Sequence, residues 1–361
     1  MPEVPLHESH IALGAKMGPF GGWDMPIEYS AGTVAEHTAV RNTVGIFDVS
    51  HMGKLRITGV NAYDFVNSIL ANDLERIQPG QAQYSMLCNE TGGIIDDLIV
   101  YLVSREEVRI IPNASNASTV AAALNAAAPA GITIDNRHLE QGIIAVQGPK
   151  SADVLKALGL PTEHAYMAFQ DAHWDGHELT VCRTGYTGEH GYEIVIGNEG
   201  IVGLWNAILE VGQPLGALPC GLGARDTLRT EMGYPLHGQD ISPEISPVQA
   251  RTGWAVGWKK EQFAGRDALI AEKEAGAKRL AWGLLATGRG IPRGHMQVKN
   301  SAGEIVGETT SGTFSPTLQI GIALALLAPS IAEGDELVVD VRGRDLPVKV
   351  VKPPFVQPST K

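Results

Sequence analysis

The sequence predicts a mixed α+β chain of more than one domain, closing with a small β-sandwich or barrel. Three observations carry this expectation. There are 42 glycines and 21 prolines among 361 residues, about 17 % against a usual ~12 %, so turns are frequent and strands numerous. Helix-spaced apolar stretches alternate with short strand-like ones as far as Met232. Beyond Arg279, six short strand-like segments follow one another between glycine turns.

Composition excludes several other classes. The apolar fraction of 44 % can bury a core, which argues against disorder. The glycines have no period of three, so the chain is not collagen-like. No apolar run reaches the ~18 residues of a membrane span; the nearest, Ile320 to Ile331, runs into Ala328-Pro329-Ser330. Met1-Pro2-Glu3-Val4 does not open a secretory leader. Cys88, Cys182 and Cys220 are an odd, scattered set, which predicts free thiols and a cytoplasmic location. The net charge of −12, from 28 basic and 40 acidic residues, and the lack of a Lys/Arg cluster argue against nucleic acid. An anionic ligand would need locally concentrated cations.

The elements follow in chain order. Phe20-Gly21-Gly22-Trp23-Asp24-Met25-Pro26 is rich in turn and aromatic residues. Thr33 to Asn42 reads as a helix, Lys54 to Thr58 as a strand, and Asn61 to Ala71 as an amphipathic helix with Phe65, Ile69 and Leu70 on its apolar side. Tyr84 to Leu87 reads as a strand before the turn Glu90-Thr91-Gly92-Gly93. Leu98 to Val103 and Val108 to Ile111 form a hairpin across Ser104-Arg105-Glu106-Glu107. Ser118 is expected to cap a helix over Thr119 to Ala127 that Pro129 ends, and Ser151 a short helix stopping at Gly159. Gly142 to Val146 is an apolar strand. Trp174-Asp175-Gly176-His177 signals a hairpin turn into the strand Glu178 to Arg183. Ile201 to Val211 and Ala224 to Met232 have helical spacing. The charged, Ala/Gly-rich stretch Glu272 to Arg279 marks the main domain boundary. The closing strands are Ala281 to Leu285, Gln297 to Lys299, Glu304 to Gly307, Gly321 to Leu326, Glu336 to Val341 and Leu346 to Val351.

Three segments offer chemistry. Asp96-Asp97 places two acids at the start of an apolar strand, where alternation sends the carboxylates to opposite sides. One faces a cleft and the other backbone or solvent, or else the pair closes an Asx turn. Gly185-Tyr186-Thr187-Gly188-Glu189-His190-Gly191-Tyr192-Glu193 is either a plain hairpin or a ligand loop, whose glycines admit a close approach and whose tyrosines stack on a flat ring. In Gly221-Leu222-Gly223-Ala224-Arg225-Asp226-Thr227-Leu228-Arg229 a glycine turn enters a helix. Arg225, Leu228 and Arg229 share a face there, so the arginines need either acids such as Asp226 or an anionic ligand. His51 reads as structural. The eleven histidines form no metal motif, and no phosphate loop, dinucleotide fingerprint or serine elbow is present.

Seven segments together, in order along the chain, resemble the glycine cleavage T-protein family of folate-dependent aminomethyltransferases. They are Gly22-Trp23-Asp24-Met25-Pro26, Gly45-Ile46-Phe47-Asp48-Val49-Ser50-His51-Met52-Gly53, Gly92-Gly93-Ile94-Ile95-Asp96-Asp97-Leu98, Ala145-Val146-Gln147-Gly148-Pro149, Thr184-Gly185-Tyr186-Thr187-Gly188-Glu189, Cys220 to Arg229, and Thr310 to Leu318. The resemblance implies a three-domain, clover-leaf α+β architecture. Residues 1–275 would form two interleaved domains, the insert at roughly 54–140, and 276–361 the barrel domain. It implies transfer of a one-carbon unit from the aminomethyl-lipoyl arm of the H protein to tetrahydrofolate, giving methylene-tetrahydrofolate, ammonia and dihydrolipoyl H protein. It gives Asp96 the catalytic carboxylate position, Glu193 the pterin and Arg225 the folate, with Tyr84, Asn113 and Tyr186 lining the pocket. No metal is implied.

These residue types suit that chemistry. A carboxylate orients the accepting nitrogen, takes up its proton and stabilises developing positive charge. A glutamate suits a donor-rich flat ring, and an arginine suits the glutamyl carboxylates. Thr230-Glu231-Met232-Gly233-Tyr234-Pro235 and Arg251-Thr252-Gly253-Trp254 depart from the family pattern. Relatives of the fold suggest two other functions. One is a stand-alone folate-dependent demethylase of another small methylated donor. The other is a folate-binding accessory protein, whose marker cysteine is missing from Gly185 to Glu193.

Overall fold

The computed structural model describes residues 1–360. Its strands form a short hairpin and three larger sheets, and each larger sheet closes over its own apolar cluster. The hairpin pairs Lys16–Phe20 with Trp23–Glu28, and Gly21 and Gly22 both take the positive φ that its tight turn requires.

The six-stranded sheet has the order Phe169–Trp174, His177–Cys182, Gly191–Gly197, Gln141–Gln147, Val44–Asp48, Ala217–Pro219. Its last pair alone runs parallel. One face is covered by helices Ser151–Ala157 and Asn198–Gly212. Ile201, Leu204, Trp205 and Ile208 of the longer helix are fully buried; their i, i+3, i+4, i+7 spacing is one helical stripe. The other face receives Val40, Ala224 and Leu228 from helices Thr33–Asn42 and Leu222–Met232.

The five-stranded sheet has the order Gln81–Cys88, Ile94–Leu102, Glu107–Pro112, Leu55–Thr58, Thr133–Asn136, all antiparallel. Pleating divides its side chains. Leu98, Val100 and Leu102 pack beneath helices Ala62–Ile69 and Ala117–Ala127. Ile99 and Tyr101 face the other way, onto Phe169 and Cys182 of the six-stranded sheet.

The C-terminal strands Leu280–Ala286, Ile320–Leu327, Ile305–Ser315, Gln297–Lys299, Glu336–Asp340 and Asp345–Val351 close into a six-stranded barrel. The choice left open between sandwich and barrel is thus decided: Asp345–Val351 pairs back onto Leu280–Ala286 and leaves no edge. The central strand Ile305–Ser315 is longer than the expected Glu304 to Gly307 because Thr309, Thr310, Ser311, Thr313 and Ser315 are buried and find polar partners. Pairing decides this, and apolar content does not.

Two expected caps are corrected. Ser118 lies inside the helix Ala117–Ala127, whose N-cap position is Asn116. Ser151 is the first residue of its helix, and its hydroxyl turns to His190 at 3.0 Å. For Ser151 a tertiary partner thus claims the hydroxyl that local preference would use as a cap, whereas Ser118 simply stands exposed one position inside its helix. The stretch Glu272 to Arg279 is not wholly a linker, since Arg266–Ala275 is helical and seats the buried Leu269. All three cysteines are buried and unpaired. No helix among the described residues is long and apolar enough to cross a membrane.

The helix Leu222–Met232 joins the barrel to the rest. Its Glu231 is fully buried and accepts hydrogen bonds from Arg41 on one side (2.7 Å) and from Thr317 and Ser315 at the barrel on the other. Arg229 bonds Asp226 (2.6 Å), Asp240 (2.7 Å) and Ser311 (3.0 Å). Burial alone would push the Glu231 carboxyl up, but His37, Ser315 and Arg41 outweigh it and hold it down at about 2. A carboxyl depressed on folding adds stability above its unfolded range and loses it as pH falls toward the folded value. Glu231→Gln therefore lowers unfolding free energy at pH 7 by about 3–5 kcal/mol, because it strands Arg41 and His37. In denaturant titrations the gap to the parent narrows steadily as pH falls from the ordinary carboxyl range toward 2.

Candidate functional site

Asp96 and Asp97 lie in the strand Ile94–Leu102, not in a turn. The Asx turn of the sequence reading does exist, but Asn89 makes it: its carbonyl accepts from the backbone of Thr91 and Gly93. Gly93 has no room for a side chain, because a Cβ there would meet the Pro243 carbonyl at 1.7 Å. This contact seats the segment around Ser242 against the start of the strand, where the Ile94 amide donates to Ser242 (2.9 Å).

Alternation places the two acids as expected, but with consequences for their roles. Asp96 shares the face of Leu98 and is 0 % exposed. Its Oδ1 accepts from the side-chain amides of Asn116 (2.7 Å) and Asn113 (2.9 Å), and its Oδ2 from the Asn113 backbone N–H (3.0 Å). Asp97 shares the open face of Ile99 and keeps partial exposure. Its Oδ2 accepts the Tyr84 hydroxyl (3.0 Å), and its Oδ1 the Asn113 amide (2.8 Å). One amide thus ties both carboxylates together. The accessible carboxylate is Asp97; Asp96, to which the resemblance gives the catalytic position, is sealed behind three donors. Burial raises the proton affinity of both, and for Asp96 the neighbouring Asp97 charge adds to it. The pair is therefore a stronger proton acceptor than free carboxylates.

Tyr84 and Asn113, both expected at the site, are in direct contact with the pair. Burial and Asp97 hold the Tyr84 phenol well above its ordinary range, so it stays a donor. Its ring stacks on Trp254, at 5.4 Å between centroids. Trp254 is 67 % exposed, and the two rings form an aromatic step from the surface to Asp97.

Tyr186, Arg225 and Glu193 form the other side. Tyr186 stacks on Tyr234 (5.7 Å) and donates its hydroxyl to the Pro235 carbonyl. The Arg225 guanidinium lies over the Tyr186 ring at 4.5 Å. Of the two alternatives for Arg225 and Arg229, the acid is taken by Arg229, which pairs with Asp226. Among the described residues Arg225 has no salt-bridge or side-chain hydrogen-bond partner. Burial weakens its hold on the proton, while nearby Glu193 and Tyr186 favour its charge. Glu193 stands in the strand Gly191–Gly197 opposite Cys182 and accepts the Thr184 hydroxyl. Tyr186 feels the charge of Asp97 as well as that of Arg225, so the two sides adjoin.

The glycines of Gly185 to Gly191 serve packing and not an open approach. A Cβ on Gly185 or Gly191 would strike the Gln147 side chain at 2.1 or 2.5 Å. That amide bonds the Thr184 and Tyr192 carbonyls and accepts Thr187, and so ties the loop shut. Glu189 is buried against Arg41 (2.9 Å). His51 is a buried ring pushed down to about 3 by burial and then by Arg225, so it is neutral, with its edge toward Phe20 (5.6 Å).

Sequence reasoning missed Asn116 and His237. The spacing of Asn113 and Asn116 puts two amides on one helical turn and could have drawn notice. Nothing in the sequence points to His237, which reaches Asn116 across 121 residues (2.9 Å).

Comparison with known proteins identifies the family. Residues 6–260 match the GCVT N-terminal domain, and 278–357 the glycine cleavage T-protein C-terminal barrel domain. An aminomethyltransferase of Frankia alni is 60 % identical over 357 residues, 99 % of this chain and 98 % of that protein. One of Mycobacterium avium is 56 % identical over 360 residues, 99 % and 97 % of the two chains. The crystal structure of glycine cleavage system aminomethyltransferase T from Bartonella henselae superposes with a TM-score of 0.94 at 34 % identity, over 99 % of each chain. Two domain matches that together span nearly the whole sequence, on a fold shared end to end, lead to one conclusion: this chain belongs to the glycine cleavage T-protein family, the aminomethyltransferases of the glycine cleavage system.

Proposed function

We propose that the chain moves the one-carbon unit of an aminomethyl-lipoyl H protein to tetrahydrofolate. The products are methylene-tetrahydrofolate, ammonia and dihydrolipoyl H protein. The observation that carries this reading is the pairing of an accessible carboxylate of raised proton affinity, Asp97, with a cation that has no salt-bridge or side-chain hydrogen-bond partner among the described residues, Arg225. The residues fit a folate. Arg225 suits its glutamyl carboxylates, the Tyr186 and Tyr234 rings offer a flat apolar surface, and Glu193 accepts from a donor-rich ring. Bound folate supplies the nucleophilic nitrogen. Asp97 orients that nitrogen and takes its proton, while Tyr84 and Asn113 hold the carboxylate in place. Asp96, fully buried, anchors Asn113, the amide that also holds Asp97.

The same proposal covers the organisation of the chain. A folate-binding region over 1–275, with an insert at roughly 54–140, accords with the five-stranded sheet lying wholly between Leu55 and Asn136. A barrel domain over 276–361 accords with the second family match. Buried unpaired cysteines suit a reducing cytoplasm.

The direct test mixes the protein with aminomethylated H protein and tetrahydrofolate and measures ammonia. Folate-dependent release supports the reading; its absence moves the assignment to a demethylase of another donor. Asp97→Asn lowers turnover at least ~100-fold while folate still binds, and near-parental turnover of that variant removes the carboxylate from the mechanism. Asp96→Asn costs less, since it keeps one acceptor oxygen for the amides. Arg225→Ala weakens folate binding about tenfold or more with little change in melting temperature, because no internal ion pair is broken. Parallel losses of affinity and stability would instead mark Arg225 as a packing residue.

A further inference from the structure

His237 closes a ring of hydrogen bonds around Asp96. Its Nε2 lies 3.1 Å from the Ile94 carbonyl, which can only accept, so Nε2 carries the proton and donates. Its Nδ1 must then accept, and the Asn116 amide lies 2.9 Å away with an N–H to give. The other N–H of that amide goes to Asp96 Oδ1 at 2.7 Å. Both donors of Asn116 are used and its orientation is settled: rotating the amide by a half-turn would present oxygen to oxygen at Asp96.

The ring bears on Asp97 through the supply of donors. Asn113 Nδ2 has two N–H groups and three acceptors within 2.9 Å: Asp96 Oδ1, Asp97 Oδ1 and the Asp97 carbonyl. Asn116 supplies Asp96 Oδ1 independently and so releases Asn113 to hold Asp97. His237 sits on a segment pinned at both sides. Asp240 accepts from the Leu236 backbone (2.8 Å), from Arg229 of the joining helix (2.7 Å) and from Ser311 of the barrel (2.8 Å). The Gly238 amide donates to the Ile241 carbonyl (2.7 Å).

We propose that His237 is a positioning residue of the transfer reaction: through Asn116 it fixes the amide pair that holds the Asp96–Asp97 carboxylates, and through Asp240 it carries the barrel's placement into the site. This rests on the reading of Asp97 as the reacting carboxylate. In this role His237 acts on the rate through Asn116, and not on folate binding.

The test uses the full chain with aminomethylated H protein and tetrahydrofolate, and compares His237→Phe, His237→Gln and Asn116→Ala with the parent. His237→Phe keeps the ring volume and removes both polar atoms. It is expected to lower kcat about tenfold, with KM for tetrahydrofolate within twofold and an unchanged melting temperature. His237→Gln, which offers one acceptor and one donor on neighbouring atoms, recovers most of that loss. Combining His237→Phe with Asn116→Ala costs little more than Asn116→Ala alone, because both cut one path. Parental kcat in His237→Phe overturns the inference. So does a kcat loss that tracks melting temperature without rescue by Gln, or full additivity of the two substitutions. Asp97→Asn separates the levels. If it is inactive while His237→Phe is unimpaired, only the inference about His237 falls; if it is active, the reading of the carboxylate falls with it.

Discussion

The structure depends on two buried charges of the helix Leu222–Met232, Arg229 and Glu231. Charges cannot be left unpaired away from water, so Arg229 and Glu231 must draw partners from wherever the chain can supply them. Glu231 draws Arg41 from the helix Thr33–Asn42 and hydroxyls from Ser315 and Thr317. Arg229 draws Asp240 from the following loop and Ser311 from the barrel. Three parts of the chain that share no sheet are thereby held to one helix. Hydrophobic burial holds each sheet together but says little about how sheets sit on one another; these directional contacts decide that.

The same helix explains why a cation is available to a ligand. Arg225 and Arg229 lie one turn apart on one face. Asp226 pairs with Arg229, three residues on, where Asp240 completes a doubly paired guanidinium. Arg225 is left with the face of Tyr186. In a chain with a net charge of −12, the cation proposed for an anionic ligand is thus one arginine without an ion-pair partner among the described residues, and not a basic patch. Across the site the opposite arrangement holds. Two acids are forced close by a strand that a neighbouring loop pins at Gly93, and amides, not cations, hold them. The amides hold the carboxylates in place without neutralising them, and burial still raises their proton affinity, which suits proton uptake.

Much of this was legible beforehand. The helix Thr33–Asn42 and the strand Gln297–Lys299 match their expected limits, because apolar period and turn residues agree there. The hairpin at Asp175-Gly176 was readable because both residues take positive φ, a preference carried by those residue types alone. The seven-segment resemblance was specific enough to name the family, and Tyr84, Asn113, Tyr186 and Arg225 do converge. Other features were not legible, for stated reasons. Ser118 and Ser151 have the composition of caps, but Ser118 falls inside its helix and His190 takes the Ser151 hydroxyl. The polar strand Thr309 to Ser315 has no apolar alternation because the buried hydroxyls of Thr310, Ser311 and Ser315 are satisfied by residues far away in sequence. The glycines of Gly185 to Gly191 left a hairpin and a ligand loop both open, and Gly185 and Gly191 turn out to admit the Gln147 side chain.

By itself, then, the sequence determined the mixed α+β class, the strand-rich C-terminal unit, the family and the segments that would meet. These rest on local preference and on motif order, which each residue carries wherever it is placed. Tertiary structure alone decided which member of the acidic pair is open, which arginine keeps its charge free, and that His237 and Asn116 stand behind the carboxylates. Such outcomes depend on competition for a few donors and acceptors brought together from distant parts of the chain. Asp96 and Asp97 are identical residues one position apart, and only the pleat of their strand, set against helix on one side and cleft on the other, tells them apart.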